Sequence, residues 1–140
     1  MPEQYAWNLS GPDMDAKHKV GQIGCFNCHI RCGAVYKVDY GNYHLEHATR
    51  PEYESLGALG SMMLNGSSDA TVICNHLCNE YGYDTISCGD TLAWLMECYD
   101  KGIFTKEELD GIGFKWGDPD GIIAMMEKLC ACEGIGVPLQ

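Results

Sequence analysis

The chain is poor in basic residues and has no long apolar run, no repeat and no low-complexity segment; each absence narrows what it can be. Its 140 residues hold 9 Lys and Arg against 20 Asp and Glu, a net charge of -11. No basic stripe offsets that charge, so nucleic acid is not an expected partner. The longest apolar patch, Leu56-Gly-Ala-Leu-Gly-Ser-Met-Met-Leu64, falls far short of the ~20 residues a membrane helix needs, and no membrane partner is expected. The first twenty residues are polar and mixed in charge, without the apolar h-region of a signal peptide. The expectation is a cytoplasmic chain with reduced thiols. A hydrophobic content of 46% and mean hydropathy of -0.19 fit a water-soluble domain. At this length there is room for one modest core in at most one domain.

Against those absences stand 9 cysteines. Three of them form Cys25-Phe-Asn-Cys28-His-Ile-Arg-Cys32, a C-x2-C-x3-C run that can bring three thiolates to one metal centre. All-sulfur sites are usually occupied by zinc or by iron–sulfur clusters. No second C-x2-C follows at zinc-ribbon spacing, whereas a cluster readily takes three ligands from one turn and a fourth from elsewhere. Spacing alone leaves an iron–sulfur cluster, zinc and unligated thiols as the three readings. Cys74, Cys78, Cys88, Cys98, Cys130 and Cys132 sit at apolar positions of helix-like segments and read as small core hydrophobes.

Residues 1–24 carry no clear periodicity and read as a weakly ordered segment. From Ala34 to His47 the pattern alternates, with Tyr36, Val38 and Tyr40 on one side and Lys37 and Asp39 on the other. Gly41-Asn42 forms the turn of a small β-hairpin, with Tyr43 and Leu45 returning. Beyond Pro51 the period becomes helical. Pro51 with Glu52 and Glu54 suits a helix start. Ser67-Ser68-Asp69 caps a second helix ending at Gly82, with Ala70, Ile73, Cys74, Leu77 and Tyr81 inward. Asp84 caps a third, Thr105 to Glu108 forms the capping box of a short fourth, and Asp118-Pro119 opens a fifth. The fold class expected is mainly α, a multihelical domain with one small β-hairpin after the cysteine turn.

Arg50-Pro-Glu-Tyr-Glu-Ser-Leu-Gly-Ala-Leu-Gly60 is followed by Asn75-His-Leu-Cys-Asn-Glu-Tyr-Gly-Tyr-Asp-Thr-Ile-Ser87, then Met96-Glu-Cys-Tyr-Asp-Lys-Gly102 and Trp116-Gly-Asp118. In that order and spacing, from about Cys25 to Gly136, the chain resembles the tungsten-containing aldehyde:ferredoxin oxidoreductases. The resemblance implies that residues 25–140 are part of the helical second domain of such an enzyme. Family members are several times longer and carry a β-rich domain that holds much of a tungsten–bispterin (bis-molybdopterin) cofactor. The chain therefore reads as a fragment, a degenerate short gene or one part of a split enzyme, inactive in isolation.

The same resemblance implies site residues. Cys25, Cys28 and Cys32 would supply three of the four ligands of a 4Fe-4S cluster, with His29 standing where the family usually has proline. Glu54 would lie beside the tungsten and move a proton; without the motif it reads as a carboxylate complementing a helix dipole. Asn79, Gly82, Tyr83, Asp84 and Thr85 resemble a pterin-binding loop in which Asn79 replaces an aspartate and Tyr83 a leucine. His76 matches half of a subunit-bridging E-x-x-H pair, but Ile73 occupies the glutamate's place, and His76 reads as structural. The implied function is oxidation of an aldehyde substrate to a carboxylic acid, with electrons passing through the cluster to ferredoxin. The implied partners are the remaining domains or subunits of the parent enzyme. Met62, Met63, Leu64, Trp94 and Trp116 are expected to form an exposed patch that drives homo-oligomer formation. A non-catalytic electron-transfer piece and a zinc-stabilised interaction domain are the competing readings. Relatives acting on other substrates, such as the tungsten subunit of benzoyl-CoA reductases, stay open.

Overall fold

Alternation of buried and exposed residues across 33–49 produces an antiparallel sheet that a helical layer covers on one face. The computed structural model describes residues 2–139. In chain order the elements are α1 (Glu3–Asn8), α2 (Gly11–His18), β1 (Lys19–Ile23), β2 (Gly33–Tyr40), β3 (Tyr43–Thr49) and α3 (Tyr53–Leu59). A 3-10 turn (Ser61–Met63), α4 (Ser68–Tyr81), α5 (Thr85–Asp100), α6 (Pro119–Ala131) and a 3-10 segment (Gly134–Leu139) complete the chain.

The expected hairpin is β2–β3, turning at Gly41 with φ 57. Tyr36 pairs with Ala48 but Val38 with Leu45, so Glu46 and His47 of β3 oppose the single residue Lys37 of β2. That bulge puts Leu45 and Ala48 on the same side as Tyr36 and Val38. A hairpin alone is marginal in water, and this one is secured from both ends. β1 adds a third strand to β2. At the tip the Tyr40 hydroxyl donates to Asp120 of α6 at 2.8 Å, which pushes the Tyr40 pKa up to about 12.

Residues 3–23, silent in periodicity, fold as two short helices and the edge strand. α1 is tied down by Asn8 Nδ2 donating to the Gly66 carbonyl at 3.1 Å, and α2 is capped by Ser10. Met14 and His18 of α2 are buried. The main core joins Tyr36 and Val38 of the sheet to Val72, Ile73 and Cys74 of α4, Leu92, Leu95 and Met96 of α5, and Ile122, Met125, Met126 and Leu129 of α6.

Several local expectations need correction. Pro51 precedes the N-cap Glu52 and does not begin the helix. The Thr105–Glu108 capping box forms, with Thr105 N donating to Glu108 at 2.8 Å and Glu108 N to Thr105 Oγ1 at 3.3 Å. No helix grows from it, because Asp110 and Gly111 both turn to positive φ. Met63 is fully buried while Met62, Trp94 and Trp116 are exposed. Cys132 and Tyr81 are also exposed, the first at the left-handed C-cap of α6 and the second in the last turn of α4.

Gly89 sets the spacing of α3 and α5. A Cβ there would lie 2.6 Å from that of Ala58. With none, the helices approach closely enough for Ser55 Oγ to meet Thr85 Oγ1 at 2.7 Å.

Candidate functional site

The cysteine run is the loop of the β1–β2 hairpin, closed at its base by the Ile23–Gly33 pair. Inside it the Cys28 N–H donates to the Cys25 carbonyl at 3.1 Å. Asn27 and Arg31 take positive φ, 58 and 49, curling the chain around Cys28. The backbone N–H groups of Arg31 and Ile30 both donate to the Cys28 sulfur, favouring its thiolate and holding its pKa below the usual thiol value. Amide donation to sulfur is what a cluster-ligating thiolate calls for. Two side chains fix the loop's carbonyls: Gln22 Nε2 donates to Arg31 at 2.8 Å, and Arg50 donates to Cys32.

Cys25 and Cys32 are exposed and Cys28 half-buried. Among the described residues no three His, Cys, Asp or Glu side chains converge on a single metal ion. A 4Fe-4S cluster takes one thiolate per iron corner, so its ligands do not share a point. The donor set and the amide-lined Cys28 fit such a group.

Beside the loop lies a cavity of about 210 Å3 lined by Cys25, Cys32, Thr49, Arg50 and Glu52. Glu52 therefore faces the cysteines, whereas Glu54, two residues on, lines a separate cleft of about 460 Å3 with Ser10, Tyr53 and Ser61. The last turn of α4 meets the cysteine cavity through Thr49, whose Oγ1 accepts from Asn79 Nδ2 at 3.2 Å. Gly82 ends α4 at φ 78, with open space where a side chain would project, which leaves the backbone approachable. The Tyr83 hydroxyl lies 3.5 Å from the Cys132 sulfur. Asp84 accepts from Ser87 N at 2.7 Å; this cap lowers the Asp84 pKa. Thr85 is held by Ser55, one turn after Glu52.

Three segments distant in sequence thus form a continuous patch. The cysteine loop, the 49–55 stretch and residues 79–85 are linked through Arg50–Cys32, Thr49–Asn79 and Ser55–Thr85. Thr49, Arg50 and Ser55 received no role from the sequence; the signal was present only in their place within or next to the Arg50–Gly60 motif. His76 bonds to none of these groups.

The sequence model of aldehyde ferredoxin oxidoreductase, domains 2 and 3, matches residues 2–139. This chain belongs to the aldehyde ferredoxin oxidoreductase family. The match includes the amino-terminal helices, which the motifs from Cys25 onward left out. The tungsten-containing aldehyde ferredoxin oxidoreductase of Pyrococcus furiosus is 39% identical over 133 residues, covering 94% of this chain and 21% of its own length. That of Thermococcus kodakarensis is 37% identical over 134 residues, covering 95% and 22%. The WOR-like subunit of an aliphatic sulfonate oxidoreductase from P. furiosus is 30% identical over 111 residues, covering 79% and 18%. The chain spans about a fifth of the length of these relatives. Among solved structures, the active site complex BamBC of benzoyl coenzyme A reductase, in complex with 1,5-dienoyl-CoA, shares the fold with a TM-score of 0.70 at 20% identity, over 99% of this chain and 20% of that one. No helix of the described residues is long and apolar enough to cross a membrane.

Proposed function

We propose that the chain is the cluster-binding and pterin-contacting part of an aldehyde-oxidising enzyme of this family. The observation that carries the reading is the C-x2-C-x3-C run held as one hairpin loop closed by the Ile23–Gly33 pair, with Cys25 and Cys32 lining the same cavity. Cys25, Cys28 and Cys32 would hold three corners of a 4Fe-4S cluster, with the fourth ligand from outside this chain. Gly82 would present backbone to a pterin, Asp84 would accept from its N–H groups, and Asn79, Tyr83 and Thr85 would set the loop's shape. When bound, the tungsten–bispterin centre and the cluster supply the two-electron oxidation of an aldehyde to a carboxylic acid and the relay of electrons to ferredoxin.

The protein's own contribution is positioning and proton handling. Glu54 stands in the first turn of α3 at the edge of a cleft, where its carboxylate can take the proton released as a hydrated carbonyl is oxidised. The hydrogen bonds of Arg50 and Gln22 keep the cysteine loop from spreading, and the Thr49–Asn79 and Ser55–Thr85 bonds hold residues 79–85 beside it.

The test is metal and acid-labile sulfide analysis of the protein as its genome encodes it, purified without oxygen, together with aldehyde-dependent reduction of a viologen dye. Iron, sulfide and tungsten with dye reduction are expected. Cys28→Ser should remove the iron, the sulfide and the broad visible absorbance. Iron and sulfide without tungsten would leave only the electron-transfer piece, and zinc without sulfide would replace both readings with the interaction domain.

A further inference from the structure

Both arginines of this acidic chain, Arg31 and Arg50, stand at the cysteine loop. Arg31 is exposed, whereas Arg50 is half-buried and fixed at three points. Its backbone N–H donates to the Ala34 carbonyl of β2 at 3.0 Å. One guanidinium nitrogen donates to the Cys32 carbonyl, and another lies 3.4 Å from Asp15 Oδ1. Arg50 also lines the cavity of about 210 Å3 that Cys25 and Cys32 border. The side chains of Arg50 and Asp15 are each 27% exposed, so salt screens this charge less than one standing free in water.

Asp15 does not cancel Arg50. Its Oδ1 accepts from the Tyr36 hydroxyl at 2.6 Å and its Oδ2 from Lys19 Nζ at 3.1 Å, both shorter than its contact with Arg50. The group is made of two cations and one carboxylate, so it keeps a net positive charge beside Cys32 in a chain whose total is -11. Glu52, the carboxylate on the cavity wall, is exposed and therefore more strongly screened.

We propose that Arg50 is a potential-setting residue: its guanidinium, held between Cys32 and Asp15, raises the reduction potential of the group that Cys25, Cys28 and Cys32 bind. The proposal rests on the cluster-binding function given above. Reduction adds one electron, and a fixed cation close by favours the form with more negative charge. Arginine stays charged at any working pH, so the electron arrives without a proton leaving Arg50. Asp15 acts through Arg50, because its carboxylate draws part of the guanidinium's field away from the loop. Arg50 is a positioning residue, since its bond is to the main chain of Cys32.

The experiment is a redox titration with dithionite, followed by electron paramagnetic resonance at fixed pH and ionic strength. It uses the protein as its genome encodes it, prepared without oxygen, as the parent, Arg50→Met, Arg50→Lys and Asp15→Asn. Iron and acid-labile sulfide are measured first in each. The midpoint should fall in Arg50→Met, fall less in Arg50→Lys, and rise in Asp15→Asn. Loosening of the loop alone would move all three variants in one direction, because each weakens the same brace. Iron and sulfide retained with midpoints equal to the parent's, or with shifts of one sign, would overturn this inference and leave the cluster standing. A parent without iron and sulfide would remove both. Should Arg50→Met fail to hold iron, the opposite shifts of Arg50→Lys and Asp15→Asn decide.

Discussion

The Arg50 guanidinium donates to the main-chain carbonyl of Cys32, so the segment leading into α3 and the cysteine loop share one hydrogen bond. A second guanidinium nitrogen of Arg50 lies 3.4 Å from Asp15 Oδ1, and the Tyr36 hydroxyl donates to the same oxygen at 2.6 Å. Cys32, the last cysteine of the loop, is thereby braced against α2 and the centre of the sheet. Desolvation opposes ionisation of Asp15, but the bonds from Tyr36 and Lys19 and the charges of Lys19 and Arg50 outweigh it, and its pKa lies below the usual carboxylate value.

Arg50→Met leaves the Cys32 carbonyl and the Asp15 carboxylate short of a donor. The expected loss of stability is about 1–3 kcal/mol, the cost of unsatisfied partners, read by urea denaturation. Hydrogen exchange across residues 24–32 should accelerate. Unchanged exchange in that loop would count against the brace.

Gly89→Ala forces α5 away from Ala58. Backbone as well as side-chain atoms of Ala58 lie within 3 Å of the added methyl position, so relief by rotamer change is blocked and a penalty of about 1–3 kcal/mol is expected. The Ser55–Thr85 bond should break with it. A thermal midpoint equal to the parent's would show that the helices close up without contact.

His18 is buried between Ser68, 2.8 Å from its Nε2, and the Lys37 carbonyl, 3.3 Å from its Nδ1. The neutral ring protonated at Nδ1 satisfies both neighbours. Burial is the main cause that lowers its pKa from the ordinary 6.5, with Lys17 adding to it and Asp69, Asp13 and the Lys37 carbonyl opposing. The unfolded chain therefore binds the proton more readily, and stability from this site is full above about pH 6.5 and falls as pH drops toward the folded-state pKa. Comparing stability at pH 7 and 5.5 in the parent and in His18→Gln should show a smaller pH slope in the variant. Equal slopes would place the acid sensitivity elsewhere.

Trp94, Met62 and Trp116 are 54%, 48% and 37% exposed, and exposed apolar surface gathered in one patch marks a site of association. Sedimentation of the 140-residue chain should reveal self-association at moderate concentration. A monomer throughout a wide concentration series would remove the homo-oligomer.

Most of the helical layer was legible because its signals are local. Ser67 and Gly82 bound α4, and Asp84 caps α5, as the sequence indicates. The amino-terminal helices were not legible, since each is too short for periodicity and is secured by contacts to residues near 66 and 36. The same limit applies to the site. Spacing picks out Cys25, Cys28 and Cys32, but no local pattern foretells that Thr49, Arg50 and Ser55 join their loop to residues 79–85. Met63 was misjudged because adjacent residues in a 3-10 turn point in different directions: Met62 faces water and Met63 the core.

The Ile23–Gly33 pair that closes the cysteine hairpin also bears on the order of assembly. Strand pairing by itself brings the ends of the loop together, and the loop-closure entropy is met by the sheet. For the cluster proposed above, loading would then be a late step on a folded protein, unlike a zinc finger, whose metal is required for folding. Cells starved of iron would accumulate a folded, cluster-free precursor ready for insertion, and substitutions at Phe26, Asn27, His29 or Ile30 would change loading without unfolding the domain.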